Sequence, residues 1–523
     1  MMHRPVGLSI AAWAAVLLAC HPQPAAAPPP APPLSTVTIL ATSDVHGWMR
    51  ARVDRGRGTW AGGLEALVGL WESREGLEPG RAQQETRRFL VLDAGDMWTG
   101  PPASTLTRGR PVVDIYSAIP YDAVVVGNHE FDFGVTNLRE QAGRAGFPFL
   151  AANVSVADSG GAVPFLRPGV LVERAGVRVG IIGLAYERTP EVTFPPNVAG
   201  LEFGGYEPAL RQEAERLLSE GAQVLVVVVH DGIEALRALA GATADLPIRV
   251  FLGGHTHDPA LEVLERDPET VADDVILAVP RSKGRTYSRV VLSFRDGRVV
   301  AHAEQVVPVG GVLGVGAPTS ELVATIAARA EAEVGPVLHE VVGVAREPIE
   351  VGDGTFSPLG VLVAESWLER VPGANLAITN LGGIRQPLAA GEVTVGDILG
   401  VLPFTNHLLV VEITGAQIKE VLANPSFIVG GAAVHAHMEN GVRVVDTLRL
   451  QDGEEVVDSA RYRVVTTDFL YAGGDGAPFA RMDPDPLWLE LGWREPVLDL
   501  FRSRGNGGVG RPSRIRGTGP GVE

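Results

Sequence analysis

Five short segments in the first half of the chain place histidine, aspartate or asparagine directly after an apolar run. Imidazole nitrogens combined with carboxylate and amide oxygens, without thiolate, suit divalent Zn, Mn, Fe or Co. Glycines among them allow sharp turns and a close approach of the backbone to an ion. The pattern predicts a metal site. The segments are Asp44-Val45-His46, Asp93-Ala94-Gly95-Asp96, Gly127-Asn128-His129-Glu130-Phe131-Asp132, His230-Asp231-Gly232 and Gly253-Gly254-His255-Thr256-His257.

The distribution of histidines argues against a chance grouping. The chain has 12 histidines. Five of them lie between Thr36 and Val300, and all five belong to these segments. A lone histidine is usually a hydrogen-bonded core residue, but five at the same kind of position favour metal ligation. We interpret the later ones as structural or exposed, namely His302, His339, His407, His435 and His437.

The elements that must position these segments are buried strands. Short β-branched or aliphatic runs of this kind suit strands covered on both faces. In open α/β sheets, ligands bind beyond the carboxyl ends of strands, which is where the five segments lie. With an amphipathic helix predicted at Glu207–Ser219 and a hairpin around Arg295-Asp296-Gly297, the first half is predicted to be a layered α/β domain. The predicted strands are Thr36–Ala41, Phe89–Leu92, Ala123–Val126, Val177–Leu184, Val224–Val229 and Val250–Leu252.

The chain of 523 residues exceeds what one core usually serves, so we expect two large domains. We predict a signal peptide at 1–19, a tether at 20–34, a catalytic domain at 35–310, a linker and interdomain helix at 311–340, and a second α/β domain at 341–515. Within the second domain we expect helices at Ser357–Arg370 and Ala416–Ala423, a strand at Leu408–Ile413, and a hairpin at Gln451-Asp452-Gly453.

The N-terminal residues are typical of an exported lipoprotein. A basic Arg4 precedes the apolar run Val6–Ala19, which is short for a transmembrane helix. Leu17-Leu18-Ala19-Cys20 resembles a bacterial lipobox, so Cys20, the only cysteine, is predicted to be lipidated; a plain cleaved signal is the alternative. The Pro/Ala-rich stretch after it predicts an extended tether. We expect the protein on the periplasmic side of a membrane or on the cell surface.

The formal net charge of -18, without a Lys/Arg-rich run, disfavours binding to polymeric nucleic acid. Small anionic substrates are not excluded, because arginines and metals at the site decide their binding. No obligate protein partner is indicated.

The ordered segments DxH, GD, GNHEFD, H and GHTH resemble those of calcineurin-like metallophosphoesterases. The resemblance implies a β-sandwich with flanking helices and two divalent ions that share Asp96. It assigns Asp44, His46, Asp96 and His257 to one ion, and Asp96, Asn128, His230 and His255 to the other. Asp93 competes with Asp96, but Asp93 and Asp231 are expected to cap turns or orient neighbours. Two divalent metal ions held in this way clamp a phosphoryl oxygen and activate a water molecule.

The same resemblance implies a catalytic pair, His129 and Asp132. Asp132 would orient the imidazole and stabilise its charged form. His129 would then stabilise the transition state or protonate the leaving oxygen. A purely structural role for His129 is the alternative.

Three later motifs resemble the C-terminal domain of 5′-nucleotidases and periplasmic UDP-sugar hydrolases. They are Asn380-Leu381-Gly382-Gly383-Ile384-Arg385, Leu402-Pro403-Phe404 and Asp468-Phe469-Leu470-Tyr471-Ala472-Gly473-Gly474-Asp475-Gly476. By match, Phe404 and Phe469 would sandwich the base, and Asp475 would bind the ribose hydroxyls. Arg385 would contact phosphate, and Asn380 would assist near the phosphate or base.

Two departures from the family pattern leave the substrate open. The stretch from Asp353 to Val361 lacks an expected arginine, and Arg346 is the nearest one. Ala472 stands where asparagine is common. The first hypothesis is a 5′-nucleotidase that releases nucleoside and phosphate outside the cytoplasm. Alternatives are a 2′,3′-cyclic nucleotide phosphodiesterase, a nucleotide-sugar hydrolase, an enzyme like a thiosulfohydrolase, and a non-catalytic surface binding protein. Metals in one domain and base contacts in the other would require domain closure.

Overall fold

The computed structural model of the chain describes residues 34–54, 58–77, 88–267, 269–313, 315, 317–352, 356–439 and 442–512. The predicted signal peptide, Cys20 and the tether up to residue 33 lie outside these ranges. Within them, no helix combines the length and the apolar character that crossing a bilayer requires.

The first half consists mainly of two six-stranded sheets. The first sheet has the strand order β16-β15-β1-β4-β5-β6 and the second β13-β14-β12-β11-β9-β8. The strands are β1 (Ser35–Thr42), β2 (Arg52–Asp54), β3 (Thr59–Ala61), β4 (Phe89–Asp93), β5 (Ala123–Val125), β6 (Phe149–Leu150), β7 (Val154–Val156), β8 (Gly169–Arg174), β9 (Val177–Leu184), β10 (Leu201–Phe203), β11 (Val224–Val229), β12 (Ile248–Leu252), β13 (Ala260–Leu264), β14 (Val275–Val279), β15 (Thr286–Arg295), β16 (Arg298–Pro308) and β17 (Gly310–Val312).

Helices cover the outer faces of both sheets. The helices of this half are α1 (Leu64–Leu70), α2 (Pro102–Thr105), α3 (Arg110–Ala118), α4 (Gly134–Arg144), α5 (Thr189–Val192), α6 (Tyr206–Ser219), α7 (Ile233–Ala242) and α8 (Glu321–Leu338). The interdomain helix expected within residues 311–340 is α8, which contains Pro336. α8 packs against α1, α2 and α3, and also against a helix of the second half.

Strand β11 shows why the buried strands are continuous apolar runs. Successive side chains of a strand point to opposite faces. Val226 and Val228 lie in the core between the two sheets, whereas Val227 and Val229 lie in the core under α6 and α7. Both faces are buried, so both need apolar residues. The result is the helix–sheet–sheet–helix layering that the predicted β-sandwich requires.

The second half is built on a five-stranded sheet of order β22-β19-β25-β21-β26. Its strands are β18 (Val341–Ala345), β19 (Leu376–Asn380), β20 (Gly391–Thr394), β21 (His407–Thr414), β22 (Phe427–Gly430), β23 (Ala432–Glu439), β24 (Val442–Leu450), β25 (Arg461–Thr467) and β26 (Leu487–Gly492). Its helices are α9 (Pro358–Arg370), α10 (Val395–Val401), α11 (Gly415–Leu422), α12 (Asp468–Tyr471), α13 (Phe479–Met482) and α14 (Glu495–Arg504).

Local signals in the second half agree with the predicted elements. The Ser357 side chain accepts a hydrogen bond from the Gly360 backbone N–H and caps α9, and Thr414 with Gln417 forms a capping box on α11. The hairpin predicted at Gln451-Asp452-Gly453 is present but short. After the turn the chain runs back antiparallel to the end of β24, with a bridge between Arg449 and Glu455 and backbone hydrogen bonds of 2.8 Å from Leu450 N–H to Glu454 and from Val456 N–H to Leu448.

Candidate active site

The predicted metal-binding segments converge from the carboxyl ends of both sheets. β1, β4 and β5 are parallel neighbours in the first sheet, and β11 and β12 are parallel neighbours in the second. The five segments therefore meet at one end of the sandwich. Five of the predicted ligands have left-handed backbones, a conformation that costs non-glycine residues energy and concentrates at functional sites. They are Asp44, His46, Asp96, His255 and His257.

Asp44, His46 and His257 form one group of donor atoms within 4.8 Å of one another. The Nε2 atoms of His46 and His257 are 2.9 Å apart. His257 Nε2 lies 3.4 Å from Asp44 Oδ1. Asp44 and His46 are buried, and His257 is half-buried. The structure thus brings together three of the four residues assigned to the first ion.

Asp96, His230 and His255 form the second group. His230 Nε2 is 3.2 Å from Asp96 Oδ2. The Asn128 amide oxygen lies 3.3 Å from His230 Nε2 and 3.1 Å from His255 Nδ1. On its other side the His230 ring donates from Nδ1 to the Ala94 carbonyl at 2.6 Å, which leaves Nε2 facing the cluster.

Asp96 lies between the two groups. Its Oδ2 is 4.0 Å from His46 Nε2 and 3.9 Å from His129 Nε2. Its Oδ1 accepts a hydrogen bond of 2.9 Å from the His129 backbone N–H. This is the position that a carboxylate shared between two ions needs, so the geometry fits the bridging role inferred from the resemblance.

Asp93 and Asp231 face away from the cluster. Asp93 accepts hydrogen bonds from the Thr42 hydroxyl at 2.6 Å, the Tyr116 hydroxyl at 2.8 Å and the Gly95 N–H at 2.8 Å. Asp231 accepts from the Tyr206 hydroxyl and from the Gly232 N–H. Both carboxylates hold turns, as expected of them in the sequence interpretation.

The donor set fits divalent cations. Burial lowers the pKa of His46 well below its usual value, with help from the positive charges of Arg385 and His257. Burial and the neighbouring His230 lower the pKa of His255 to about 4. Both rings are therefore neutral near pH 7 and offer lone pairs as ligands. When bound, such ions polarise a phosphoryl oxygen and activate a water molecule.

His129 and Asp132 form the predicted pair, with 2.7 Å between His129 Nδ1 and Asp132 Oδ2. Burial by itself would lower the pKa of His129. The Asp132 and Asp96 carboxylates outweigh that effect and leave the pKa above its ordinary value. His129 Nε2 remains available to face a substrate, so the pair can hold and deliver a proton.

Glu130 was missed in the sequence interpretation. Its buried carboxylate accepts three backbone hydrogen bonds, from Asp96 at 2.8 Å, Met97 at 2.9 Å and Gly127 at 2.7 Å. Glu130 thereby ties the loop after β4 to the loop after β5. The sequence offered one indication of this role, which is the position of Glu130 between His129 and Asp132. A glutamate exposed to solvent at that position would give the same sequence pattern.

Residues of the second half complete the site. Arg385 Nη2 lies 3.2 Å from His46 Nε2. The ring of Phe404 stacks on that of His129, with centroids 5.8 Å apart and planes 14° apart. Asn380 Nδ2 donates to Asp475 Oδ2 at 2.7 Å. The ring of Phe469 lies against Gly474, where a Cβ atom would approach it to 2.4 Å.

One cavity of about 670 Å³ joins the two halves. Its lining includes nine of the predicted site residues, which are Asn128, His129, Asp132, His255, Asn380, Arg385, Phe404, Phe469 and Asp475. Arg346 instead lines a separate cavity beside Gly508 and Gly510, so it does not replace the arginine expected near residues 353–361.

Three further residues near the site lie outside the predicted motifs. Trp493 Nε1 donates to the Phe404 carbonyl at 2.8 Å, and Arg494 donates to the same oxygen. These two hydrogen bonds hold the backbone of Phe404 in place. The Tyr186 ring lies 4.0 Å from that of His255. Only the tertiary structure brings these side chains to the site.

Comparison with known proteins agrees with this architecture. Residues 37–259 match the family model of the calcineurin-like phosphoesterases, and residues 336–482 match that of the 5′-nucleotidase C-terminal domain. The fold and the site thus define a calcineurin-like metallophosphoesterase. With its second matched domain, the chain belongs to the 5′-nucleotidase family and is a metal-dependent phosphoric ester hydrolase. The family resemblance drawn from the sequence is confirmed.

Individual relatives show how far the likeness extends. The 5′-nucleotidase of Vibrio cholerae is 24% identical over 506 residues, covering 87% of this chain and 88% of its own. Endonuclease YhcR of Bacillus subtilis is 27% identical over 430 residues, which are 76% of this chain but only 34% of YhcR. The crystal structure of a 5′-nucleotidase precursor from Thermus thermophilus has a TM-score of 0.79 at 24% identity, covering 92% of this chain and 98% of that one.

Proposed function

We propose that the protein is a 5′-nucleotidase that hydrolyses nucleoside phosphomonoesters to nucleoside and phosphate. The observation that supports this most directly is the cavity of about 670 Å³ that is lined by residues of both halves. It is lined by the proposed metal ligands Asn128 and His255 and the proposed proton-holding pair His129 and Asp132 from the first half. From the second half it is lined by Phe404, Phe469, Asn380, Arg385 and Asp475. The name of the Vibrio cholerae relative points to the same activity.

The proposed ligands are Asp44, His46, Asp96 and His257 for one ion, and Asp96, Asn128, His230 and His255 for the other. Zn, Mn, Fe and Co all suit this donor set. Two divalent ions here would supply charge stabilisation and an activated water molecule. The chain itself contributes Arg385, whose guanidinium next to His46 would bind an equatorial phosphoryl oxygen.

The proposed proton donor is His129. Its Nδ1 is held by Asp132, so Nε2 can give a proton to the leaving ribose oxygen. Phe404 stacks on His129 and, with Phe469, would hold the base directly behind that oxygen. Asp475, positioned by Asn380, would accept hydrogen bonds from the ribose hydroxyls.

Metal analysis combined with a hydrolysis panel tests this function. The purified protein should hydrolyse AMP in the presence of Mn or Zn and lose activity with a chelator. His129→Ala should retain its metal and slow turnover by about a hundredfold or more, the size expected for lost acid–base help. Full activity in that variant would remove His129 from the mechanism.

The same panel separates the alternatives. Preference for UDP-glucose, for 2′,3′-cyclic AMP or for a thiosulfonate ester over AMP would favour, respectively, a nucleotide-sugar hydrolase, a cyclic phosphodiesterase or an enzyme like a thiosulfohydrolase. Absence of any hydrolysis with full metal loading would favour a non-catalytic binding protein.

We also propose that the enzyme acts outside the cytoplasm, anchored through lipid on Cys20. The support is the signal-like N-terminus followed by the lipobox-like Leu17-Leu18-Ala19-Cys20. Radiolabelled palmitate should label the wild-type protein but not Cys20→Ser. Equal labelling of both would contradict the anchor.

A further inference from the structure

Lysine is rare in this chain, and one of its lysines lies where the two halves meet. Of the 44 lysines and arginines, only Lys283 and Lys419 are lysines. Lys419 lies in α11 and forms an ion pair of 2.7 Å with Asp458. The Lys283 ammonium instead donates to the backbone carbonyl of Arg385 at 3.3 Å. A lysine here, in a chain that otherwise uses arginine, favours a role for the compact ammonium group.

The backbone of Lys283 is fixed to the loop that carries the proposed ligand Asp44. The Lys283 N–H donates to the Asp44 carbonyl at 2.7 Å, and the Lys283 carbonyl accepts from the Gly63 N–H at 2.9 Å. Lys283 has a left-handed backbone with φ 64°, a conformation that persists only where the surroundings enforce it. The side chain of Lys283 therefore starts from a defined place next to the proposed metal ligands.

The side chain of Lys283 extends from this place toward the second half. Its Nζ lies 5.4 Å from the centroid of the Trp48 ring, within the range of a cation–π contact. The hydrogen bond from Nζ to the Arg385 carbonyl then crosses from the first half to the second. A charged donor makes such a bond stronger than one between neutral groups.

The backbone of Arg385 is held from both halves. Its N–H donates to the Val401 carbonyl of its own half at 2.8 Å, whereas its carbonyl accepts from Lys283 of the other half. The guanidinium of the same residue places Nη2 3.2 Å from His46 Nε2. The hydrogen bond from Lys283 therefore ties the backbone of Arg385 to the half that holds the proposed metal ligands.

We infer that Lys283 is a positioning residue, which holds the Arg385 backbone against the first half and so directs the Arg385 guanidinium to the phosphoryl group beside His46. The inference rests on the proposed function, because it concerns how Arg385 meets that phosphoryl group. Lys283 is not among the residues that line the cavity, so it acts through Arg385 and does not touch the substrate. Small displacements of a group that positions the substrate are costly to the reaction.

Calorimetric titration of the Mn-loaded protein with inorganic phosphate tests this role. Lys283→Met keeps the unbranched apolar stem but removes the donor. We expect it to bind phosphate about tenfold more weakly than wild type, the effect of losing a hydrogen bond from a charged group. Lys283→Arg retains a charged donor and should lose less. Lys419→Met, the matched control, removes the other lysine and should bind phosphate as wild type does. Equal phosphate affinity of Lys283→Met and wild type would overturn the inference.

An Arg385→Ala background shows whether the ammonium acts through Arg385. This background keeps the carbonyl that accepts from Lys283 but lacks the guanidinium. Adding Lys283→Met should cause no further loss of phosphate affinity, because the effects of coupled residues are not additive. A fully additive loss would contradict the positioning role. Equal metal content and equal thermal midpoints show that the variants are folded and that Lys283 does not act on the metal ligands.

Phosphate binding and nucleotide hydrolysis can fail independently. If wild type binds phosphate in this Lys283-dependent way but hydrolyses no AMP, the 5′-nucleotidase activity fails while the positioning role stands. If AMP is hydrolysed, kcat/KM should fall about tenfold in Lys283→Met, in step with phosphate affinity. Hydrolysis of AMP together with unchanged phosphate affinity in Lys283→Met refutes the positioning role alone. A wild-type protein that binds no phosphate would overturn the inference as well.

Discussion

Asp93 and Asp96 are three positions apart, yet their carboxylates have different surroundings. Asp93 is surrounded by hydrogen-bond donors from Thr42, Tyr116 and Gly95, and burial raises its pKa to about 7. Asp96 lies among imidazoles, and burial, which would raise its pKa, is outweighed by His230 and His129, which hold it well below its ordinary value. One carboxylate is suited to support a turn and the other to hold cations.

We therefore expect Asp96→Asn to lose most of its bound metal and its activity, because the proposed shared ligand loses its charge. Asp93→Asn is the matched control. It should keep its metal and lose about 1 kcal/mol of stability, the usual value of a perturbed buried hydrogen bond. Metal analysis and thermal unfolding of the two variants test this. Equal metal loss in both would contradict the assignment of Asp96.

The charge of Asp132 should set the pH range of turnover. Asp132 stabilises the imidazolium form of His129 and so helps to raise its pKa. If protonated His129 is the acid, kcat falls as pH rises through that pKa. Asp132→Asn lowers the pKa, so its alkaline limb should lie at lower pH than that of wild type.

The pH dependence of kcat in both proteins measures this shift. Asp114→Asn removes a carboxylate from an ion pair with Arg144 outside the proposed site and serves as the control. An alkaline limb that stays in place in Asp132→Asn would show that His129 does not supply the proton.

At the scale of elements, the loops after β4 and β5 must approach each other closely. A Cβ atom on Gly127 would lie 2.3 Å from Asp96 Oδ1 and 2.7 Å from the Asp96 backbone nitrogen. The bulk of any side chain there would displace the proposed shared ligand. The close approach, together with the three hydrogen bonds to Glu130, keeps the two strand ends in register at the site.

Gly127→Ala should therefore reduce metal content and activity by at least tenfold. Gly143→Ala is the control, because Gly143 lies in α4 with no atom within 4 Å of an added Cβ. It should stabilise the protein by about 0.5–1 kcal/mol through helix propensity. Normal metal content in Gly127→Ala would show that the loops can separate without harm.

At the scale of the whole molecule, the cavity has walls from both halves, and α8 packs against each of them. The segment α5 also contacts the turn that carries Asp475. We expect substrate entry and product release to require these walls to separate, as in enzymes whose lids gate turnover.

A disulfide between cysteines placed in α5 and in the turn Gly474–Gly476 should hold the walls together. In a Cys20→Ser background, we expect turnover to drop at least tenfold under oxidising conditions and to recover with dithiothreitol. The parent Cys20→Ser protein should not respond to the reductant. An unchanged rate in the oxidised, fully cross-linked protein would show that the halves need not move.

Much of the secondary structure could be predicted because its signals are local. β9 and β11 have the predicted bounds, and α6 and α9 differ from them by one residue. Buried strands need apolar residues on both faces, and helices need a capping residue or an apolar stripe. The hairpin at Gln451-Asp452-Gly453 shows the limit, since its turn signal predicts the chain reversal but not the length of the returning segment, which forms a single bridge between Arg449 and Glu455.

The sequence by itself determined which side chains can bind metal, because it shows both the ligand chemistry of His, Asp and Asn and the apolar runs that predict a strand before each of them. Only the tertiary structure decided that Asp96 rather than Asp93 faces the imidazoles, and that Glu130 connects the loops after β4 and β5. The physical reason is that these roles depend on contacts between residues far apart in the chain. Such contacts arise when two sheets and two halves pack, and they leave no local pattern.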